Sequence, residues 1–314
     1  MPFFSVVIPL YNKENYIEAT VKSVLNQSFA DFELLIINDA STDASLEKVI
    51  GLASAKVKII KHSKNKGLSA TRNTGISVAS AQYIAFLDAD DIWDTNFLAT
   101  IADLIQEFPQ ANLFATHYLE IYSRSVALKP KTPIHKNNHF IVPDFFEASL
   151  NQPIYCPSSL CVHKKVLESV GNYNEKITFA EDIDFNIRAN LNFQLAYSPQ
   201  PVVNYSMFSE NKITSSTIKN KVLPNLDSYE KDTQRNPSLK RYLDFHRYIF
   251  AKMYKMEKDE HTFQTLRKAI AKDPFISGLN PSQRLLLIAP RKLLLFVQYL
   301  KKYLVKKGYR ISTY

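Results

Sequence analysis

The sequence predicts an α/β fold, in which a mostly parallel sheet is flanked by helices and followed by a helical extension. Short apolar runs alternate with amphipathic segments through roughly the first hundred residues, as in strand–helix–strand units. Each apolar run ends in turn-forming or acidic residues, which is typical of buried parallel strands. The alternation stops near Leu223, and only helical patterns follow. We therefore predict an α/β domain over residues 1–220 and a helical, basic region over residues 221–314.

Four apolar runs are predicted as strands because they are short, continuous and bounded by turn residues. They cover residues 4–8, 32–37, 57–60 and 84–87. We expect the first strand to stop at Pro9. The fourth strand leads directly into a group of acidic residues, so it is the strand on which the functional prediction depends.

The helices between these strands are predicted from apolar residues that recur on one face. They are expected at residues 14–26, from a cap at Ser41 or Thr42 onward, at 69–79, and from Asp94 or Thr95 onward. Beyond the α/β domain, helices are expected at residues 229–258, 262–272 and 281–307, broken by Pro237, Pro274 and Pro290.

The positive charge of the chain is concentrated near its C-terminus. The formal net charge is +9, and eight Lys or Arg residues but no Asp or Glu follow Asp273. The rest of the chain is therefore close to neutral, which argues for a basic tail and against a nucleic-acid-binding protein.

Cysteine usage and the N-terminus favour a cytoplasmic protein. Cys156 and Cys161 are too few for a disulfide scaffold and lack the partners of a zinc site, so we expect them to be reduced and buried. Met1 and Pro2 lead into the first strand without the basic segment of a signal peptide. No apolar run reaches the length of a membrane-spanning helix. Peripheral attachment at the cytoplasmic face of the inner membrane is compatible with these features.

Three carboxylates, Asp88, Asp90 and Asp91, follow the fourth strand directly. Unpaired charges are costly to bury, so these side chains must face either solvent or a cation. Alternate residues of an extended segment project to one side, so Asp88 and Asp90 can address one site. Carboxylate oxygens suit Mg²⁺ or Mn²⁺, which are typically shared between one or two carboxylates and substrate phosphates. The alternative is a polar loop that only closes the strand.

Turn-forming or polar residues end three of the predicted strands: Pro9 and Tyr11 follow the first, Asp39 the second and Asp88 the fourth. In open parallel sheets, ligands bind in the crevice beyond these strand ends. The chain has neither a G-x-G-x-x-G turn nor a P-loop, so a metal is expected to neutralise nucleotide phosphates here in place of a glycine-rich loop.

Four motifs occur in a familiar order. They are SVVIPLYNKENYIEATVKSVLNQSFADFELLIINDAST, NKGLSATRNTGI, YIAFLDADDIW and GNYNEKITFAEDIDFNIRA. Over about residues 3 to 205 the chain resembles a family 2 glycosyltransferase with the GT-A fold. The resemblance implies an inverting transferase that uses a nucleoside-diphosphate sugar and a divalent cation.

The resemblance implies roles for residues on the donor side. Asp39 would accept a hydrogen bond from N3 of a uracil or thymine base, and Pro9 and Tyr11 would border that base. Arg72 would reach the base or the diphosphate, where its fork suits phosphate oxygens. The alternatives are a helix cap for Asp39, simple packing for Tyr11 and a solvated helix arginine at position 72.

At the metal and acceptor sites, the resemblance implies that Asp88 lies near the ribose and Asp90 holds the metal. Glu181 would position the acceptor, and Asp182 would act as the general base. Both acids open a predicted helix, whose dipole favours their ionised forms. The residues alone do not distinguish Asp182 from Asp184; the resemblance selects Asp182. A simple helix cap would explain one of these acids.

We therefore expect a hexosyl- or N-acetylhexosaminyl-transferase that uses a UDP-sugar and acts on a glycan or lipid-linked acceptor in cell-surface polysaccharide synthesis. The alternatives are a sugar nucleotidyltransferase and a non-catalytic nucleotide- or membrane-binding module. The leucine-rich, basic segment 281–310 is expected either to lie on an anionic membrane surface or to pack back on the domain.

Overall fold

The computed structural model describes residues 1–52, 54–134, 136–210 and 217–309, without the side chain of residue 306. Its main feature is one mixed sheet with the strand order β3-β2-β1-β4-β9-β6-β10-β5, while β7 pairs with β6 and β8 with β10. Strands β3, β2, β1 and β4 are parallel to one another. Strand β9 is antiparallel to both of its neighbours, and β6 and β10 are again parallel.

The strands are β1 Phe4–Leu10, β2 Phe32–Asn38, β3 Val57–Lys61, β4 Tyr83–Phe86, β5 Ile92–Trp93, β6 Leu113–Ser123, β7 Val126–Leu128, β8 Phe140–Ile141, β9 Leu160–His163 and β10 Leu195–Ser206. The helices are α1 Ile17–Leu25, α2 Ser45–Ile50, α3 Leu68–Val78, α4 Phe97–Glu107, α5 Phe145–Ala148, α6 Lys164–Val170, α7 Glu181–Asn192, α8 Pro237–Met256, α9 Glu260–Ala269, α10 Pro274–Ser277, α11 Pro281–Ile288 and α12 Arg291–Lys306. Short 3₁₀ helices lie at Pro157–Ser159 and Leu226–Gln234.

Strand β1 continues through Pro9 to Leu10, so the expected stop at Pro9 was wrong. The backbone of Val7 faces β4, because its carbonyl accepts the Leu87 amide, and alternation places Pro9 on the same side. Pairing with β4 ends at Val7. The missing amide of Pro9 therefore removes no ladder hydrogen bond.

Two apolar layers cover the sheet. Alternate residues of β1, among them Val6 and Ile8, pack with α1 and α4 on one face. Val7 belongs to the layer on the other face, together with residues of α3, α7 and α8. This arrangement leaves the carboxyl edge of β1, β2 and β4 as the place where polar side chains meet.

The helical region packs directly on the α/β domain. Tyr242 and Leu243 of α8 share a buried core with Phe145 and Phe146. Pro237, Pro274 and Pro281 each stand at the first position of a helix, where a proline amide would have no helical partner. Pro237 and Pro274 therefore begin helices, whereas Pro290 separates two of them. Among the described residues, no helix is both long and apolar enough to cross a membrane.

Candidate active site

The acidic turn after β4 is held by hydrogen bonds from three directions. The Asp91 amide donates to the Asp88 carbonyl at 3.0 Å, which closes the turn. The Thr20 hydroxyl of α1 lies 3.1 and 2.9 Å from the carbonyls of Ala89 and Asp91. The Asp88 amide donates to the Ser158 hydroxyl at 3.0 Å. These bonds fix the backbone that carries the side chains of Asp88 and Asp90.

Asp91, the third acid of this turn, is buried and only 1% exposed. Its carboxylate accepts hydrogen bonds from the Ser158 hydroxyl at 2.5 Å and the Ser206 amide at 2.8 Å. Burial, with added repulsion from Asp90 and Asp88, raises the pKa of Asp91 well above its usual range, and the two hydrogen bonds oppose this rise. Asp91 therefore joins the acidic turn to β10 and does not face a ligand.

Arg72 connects the two acidic motifs that the sequence separates by about a hundred residues. Its Nη2 donates to Asp88 Oδ1 and its Nη1 to Glu181 Oε1, both at 2.7 Å. The guanidinium also lies over the Tyr173 ring, 5.1 Å from its centroid. One cation thus fixes the distance between the turn after β4 and the start of α7.

The alternative of a solvated helix arginine at position 72 is not observed, since the residue is 1% exposed. Burial acts to lower the pKa of Arg72, but the nearby charges of Asp88, Tyr173 and Glu181 outweigh it and raise this pKa. Its Nε finds no partner among the described residues. The structure brings Arg72 to the site, in contact with carboxylates, and does not test contact with base or diphosphate.

Helix α7 presents Glu181 and Asp182 at its first turn. The preceding residue, Ala180, has φ 61°, a left-handed conformation that is uncommon for alanine and is found at functional sites. Burial, reinforced by the negative charge of Glu181 and opposed by Arg72, raises the pKa of Asp182 to about 7. A carboxylate with this pKa is matched to proton transfer near neutral pH.

Asp184 has other partners. It accepts a hydrogen bond from the Tyr229 hydroxyl at 2.6 Å, and its second oxygen accepts from Nε and Nη2 of Arg188 at 3.0 and 2.8 Å. Both of its oxygens are therefore used within the protein. These contacts are a physical reason to prefer Asp182 over Asp184 as the candidate general base, and the sequence alone did not supply that reason.

The expected base-binding residues lie at the ends of β1 and β2. Asp39 is buried and accepts hydrogen bonds from the amides of Lys66 and Gly67 at 2.8 and 2.9 Å. His62 Nδ1 lies 2.7 Å from the same carboxylate. Asp39 does not cap α2, which begins at Ser45 after Ala44 without a side-chain cap.

Pro9 and Tyr11 lie on either side of the end of β1. Pro9 is buried within the strand, whereas Tyr11 is 43% exposed just beyond it. Tyr11 is therefore available to a ligand, and simple packing does not describe it. A role for either residue in binding a base stays a prediction.

The side chains of Asp88 and Asp90 fit a divalent cation by their donor type. Asp90 Oδ2 accepts from Lys13 Nζ at 2.8 Å and from the Ser209 hydroxyl at 2.5 Å. Within the described chain, no hydrogen bond to Asp90 Oδ1 or to the second oxygen of Asp88 is found. Across the described part of the chain, no cluster of three or more His, Cys, Asp or Glu side chains could hold a metal. Mg²⁺ is usually bound by one or two carboxylates together with substrate phosphates, so Asp88 and Asp90 fit such an ion.

Sequence reasoning missed several residues of this site. Lys13 lies in the turn after β1 and gives no pattern of its own, and Ser158 and Ser209 come from distant parts of the chain. The roles of His62 and Tyr173 likewise depend on contacts across the fold. None of the five could be assigned without knowing which strand ends meet.

Comparison with known families gives one match that covers more than half of the chain. The model of the family described as "Glycosyl transferase family 2" matches residues 5–171. This range includes the strand ends of β1, β2 and β4 and the acidic turn, but it ends before the first turn of α7. The resemblance predicted from four motifs is confirmed for the first three.

Two curated relatives match shorter stretches. The Escherichia coli protein "UDP-Glc:alpha-D-GlcNAc-diphosphoundecaprenol beta-1,3-glucosyltransferase WfgD" is 42% identical over 94 residues, which cover 30% of this chain and 37% of the relative. "Minor teichoic acid biosynthesis protein GgaA" of Bacillus subtilis (strain 168) is 39% identical over 118 residues, which cover 35% of this chain and 26% of the relative. The chain thus spans well under half of either relative.

Among solved structures, the "Crystal structure of S. aureus TarS 1-349 in complex with UDP-GlcNAc" aligns with 98% of this chain and 91% of that chain. The TM-score is 0.67 and the sequence identity is 20%. At this identity the alignment speaks for the fold. It confirms the predicted α/β class, including the helical region after the sheet.

Proposed function

Because the chain belongs to glycosyl transferase family 2, we propose that it transfers a hexosyl or N-acetylhexosaminyl group from a UDP-sugar to a hydroxyl of a glycan or lipid-linked acceptor. The observation that carries this proposal is the Arg72 bridge, which holds a donor-side carboxylate and an acceptor-side carboxylate 2.7 Å from one guanidinium. The names of the relatives favour UDP-sugars and cell-surface glycans.

On the donor side, the nucleoside would lie along the ends of β1 and β2. Asp39 would accept a hydrogen bond from the base, with Pro9 and Tyr11 at its border. Asp88 would face the ribose, and Asp90 would hold Mn²⁺ or Mg²⁺ against the diphosphate. When bound, this cation would stabilise the negative charge that develops on the departing diphosphate.

On the acceptor side, Asp182 would accept the proton of the attacking hydroxyl. Its pKa of about 7 leaves a substantial ionised fraction at neutral pH, and the conjugate acid is strong enough to lose the proton again. Attack from the face opposite the leaving group would invert the configuration of the sugar. Glu181 would position the acceptor while Arg72 holds its carboxylate in place.

A lipid-linked acceptor would require the protein to work at a membrane surface. Helix α12 leaves an apolar face uncovered, on which Phe296 is 59% and Tyr299 is 69% exposed, although Leu294 and Val305 are buried. Basic residues Lys292 and Lys302 lie on the same helix. We propose peripheral attachment through this segment; Arg310, at the end of the predicted range 281–310, lies outside the described residues.

The test is a binding and transfer screen with UDP-, dTDP- and GDP-sugars in Mn²⁺, in Mg²⁺ and in EDTA. We expect one UDP-sugar to bind in a metal-dependent manner, and Asp90→Ala to abolish this binding while the protein stays folded. Asp182→Asn is the matched control, because it should keep binding and lose transfer. If a folded protein binds none of these sugars, the proposal is wrong and the chain is a non-catalytic module.

A further inference from the structure

The ammonium group of Lys13 lies among the acidic residues of the proposed metal site. Its Nζ is 2.8 Å from Asp90 Oδ2 and 2.7 Å from the Glu210 carbonyl oxygen, and it lies 5.9 Å from the centre of the Tyr16 ring. The side chains of Lys13 and Asp90 are only 12% and 9% exposed. This ion pair is therefore largely shielded from solvent and stronger than an ordinary surface pair.

The backbone of Lys13 is fixed, so the direction of its side chain follows from the fold. Its amide donates to the Ser45 hydroxyl at 2.8 Å. Its carbonyl accepts the amides of Tyr16 and Ile17, both at 2.9 Å. The preceding residue, Asn12, takes a left-handed conformation with φ 49°. The turn after β1 thus aims a lysine at the edge where β4 ends.

Lys13 also ties a second segment to Asp90. The Ser209 hydroxyl donates to the same oxygen, Asp90 Oδ2, that Lys13 contacts. The Glu210 amide lies 3.3 Å from the Tyr16 hydroxyl, and Phe208 packs against the Tyr16 ring edge-on at 6.2 Å. Residues 208–210 are therefore assembled around the Lys13–Asp90 pair.

Each of the two carboxylates proposed to face the donor and metal has a cation beside it. Arg72 pairs with Asp88 and Lys13 pairs with Asp90, whereas Asp91 is buried behind them. A divalent cation at Asp90 would bring two positive charges to the place where Lys13 already supplies one. A nucleoside diphosphate would bring new negative charge within reach of the flexible lysine stem, and ammonium groups bind phosphate as point charges.

We propose that Lys13 is the cation that Asp90 holds before the donor binds, and that it transfers from Asp90 to the diphosphate when metal and donor bind. This inference rests on the proposed function, since it needs a metal-bound nucleoside diphosphate at Asp90. In the free protein Lys13 competes with the metal. In the complex it is a ligand of the donor.

The two roles give effects of opposite sign in one variant, Lys13→Met. Mn²⁺ binding to the protein without nucleotide, followed by the electron paramagnetic resonance signal of free Mn²⁺, should become about tenfold tighter because the competing charge is gone. UDP binding at saturating Mn²⁺, followed by calorimetry, should become about tenfold weaker because a phosphate contact is lost. Neither readout depends on catalytic turnover.

Two controls separate the possible causes. Lys22→Met removes a lysine from an exposed pair with Glu18 on α1 and should change neither affinity. Asp90→Ala should abolish Mn²⁺ binding, so that adding the protein no longer lowers the signal of free Mn²⁺. This result would show that the ion binds at Asp90. A misfolded Lys13→Met protein would bind both ligands more weakly, so circular dichroism and the paired readouts would expose it.

The outcomes are distinct. Tighter Mn²⁺ binding together with weaker UDP binding supports the exchange. Unchanged or weaker Mn²⁺ binding by a folded Lys13→Met protein overturns it, even if UDP binding falls. If the unaltered protein binds neither Mn²⁺ nor UDP, the proposed function fails together with this inference.

Discussion

The buried side chain of Arg72 joins the two acidic motifs of this site. Arg72 is enclosed by Asp88, Glu181 and the Tyr173 ring. A buried cation with two carboxylate partners is stable only while both partners are present. The position of the turn after β4 relative to the first turn of α7 therefore depends on this residue.

We predict that Arg72→Met lowers the free energy of unfolding by about 3–5 kcal/mol, because it leaves two carboxylates facing each other without a cation. The double variant Arg72→Met with Glu181→Gln should recover part of this loss, since one stranded charge is removed. Urea unfolding of both proteins measures the difference. Lys22→Met, in an exposed pair, should leave the free energy of unfolding nearly unchanged. A double variant no more stable than the single one would contradict the bridge.

Asp182→Asn should reduce transfer by about 10²–10⁴-fold if Asp182 is the general base. In the unaltered protein, kcat/KM should rise with pH through about 7, as the carboxyl loses its proton. The pH profile of the transfer rate measures this, and a flat profile between pH 6 and pH 8 would contradict the assignment.

The same pKa predicts an effect on stability. Because the folded-state pKa of Asp182 is raised from 3.8 to about 7, the folded protein binds the proton more tightly. The stability that this group contributes is complete below pH 3.8 and is lost as the pH rises to about 7. Asp182→Asn should therefore raise the melting temperature at pH 8 by roughly 2–4 °C. Asp184→Asn, which weakens the contacts to Arg188 and Tyr229, should lower it.

At the scale of elements, α3 approaches β1 tightly at Gly75. A Cβ atom on Gly75 would lie 2.3 Å from Val7 Cγ1, well inside any normal contact distance. The helix that carries Arg72 can therefore approach the sheet only because residue 75 has no side chain. This contact sets the depth at which Arg72 enters the site.

We expect Gly75→Ala to destabilise the protein by about 1–3 kcal/mol through overpacking. In a Val7→Ala background the same substitution should be less harmful, because the opposing methyl groups are gone. Gly51→Ala is the matched control, since its Cβ would meet only carbonyl oxygens at 3.5 and 3.7 Å. Thermal unfolding of the unaltered protein, Gly75→Ala, Val7→Ala and the double variant measures the coupling between the two positions. Equal penalties for Gly75→Ala in both backgrounds would contradict it.

The first four strands were predictable from the sequence. Apolar runs located β1 to β4 to within two residues. Strands β1 and β2 are buried along their whole length and contain few polar interruptions. The expected cap at Ser41 or Thr42 was wrong, because this segment instead uses Ser41 and Thr42 to bind Asn12 in the turn after β1. Strands β5 to β10 were not predicted, and among them β6 and β10 are the longest strands of the sheet.

The site was predictable only in part. Asp88, Asp90, Glu181 and Asp182 stand in recognisable motifs at the ends or starts of elements, and the structure brings Arg72 between the two groups. Lys13 could not be found, because its contact with Asp90 spans 77 positions and leaves no periodic pattern. The direction in which Arg72 points is likewise a property of the packed fold.

At the scale of the whole molecule, the helical region is an integral part of the packed structure. Arg247 of α8 is buried and pairs with Asp244, Glu230 and Asp227. Helix α8 also contributes to the core that lies behind α7. The division at residue 220 was predicted from a change in the sequence pattern. Side chains from both sides of this position pack in one core. The outer helices α10 to α12 leave several large apolar side chains exposed, among them Phe275, Phe296 and Tyr299.

We expect the apolar face of α12 to hold the whole molecule on a membrane surface. We expect the protein to sediment with vesicles that contain anionic lipid, less with neutral vesicles, and less again at high salt, because basic residues accompany the exposed rings. Phe296→Ser combined with Tyr299→Ser should weaken vesicle binding by about tenfold or more, since both rings lose their apolar contact with lipid. Phe275→Ser is the matched control, because Phe275 is 88% exposed but belongs to α10. Equal loss in the control would mean that any exposed ring suffices, whereas unchanged binding of the double variant would show that α12 does not face the lipid.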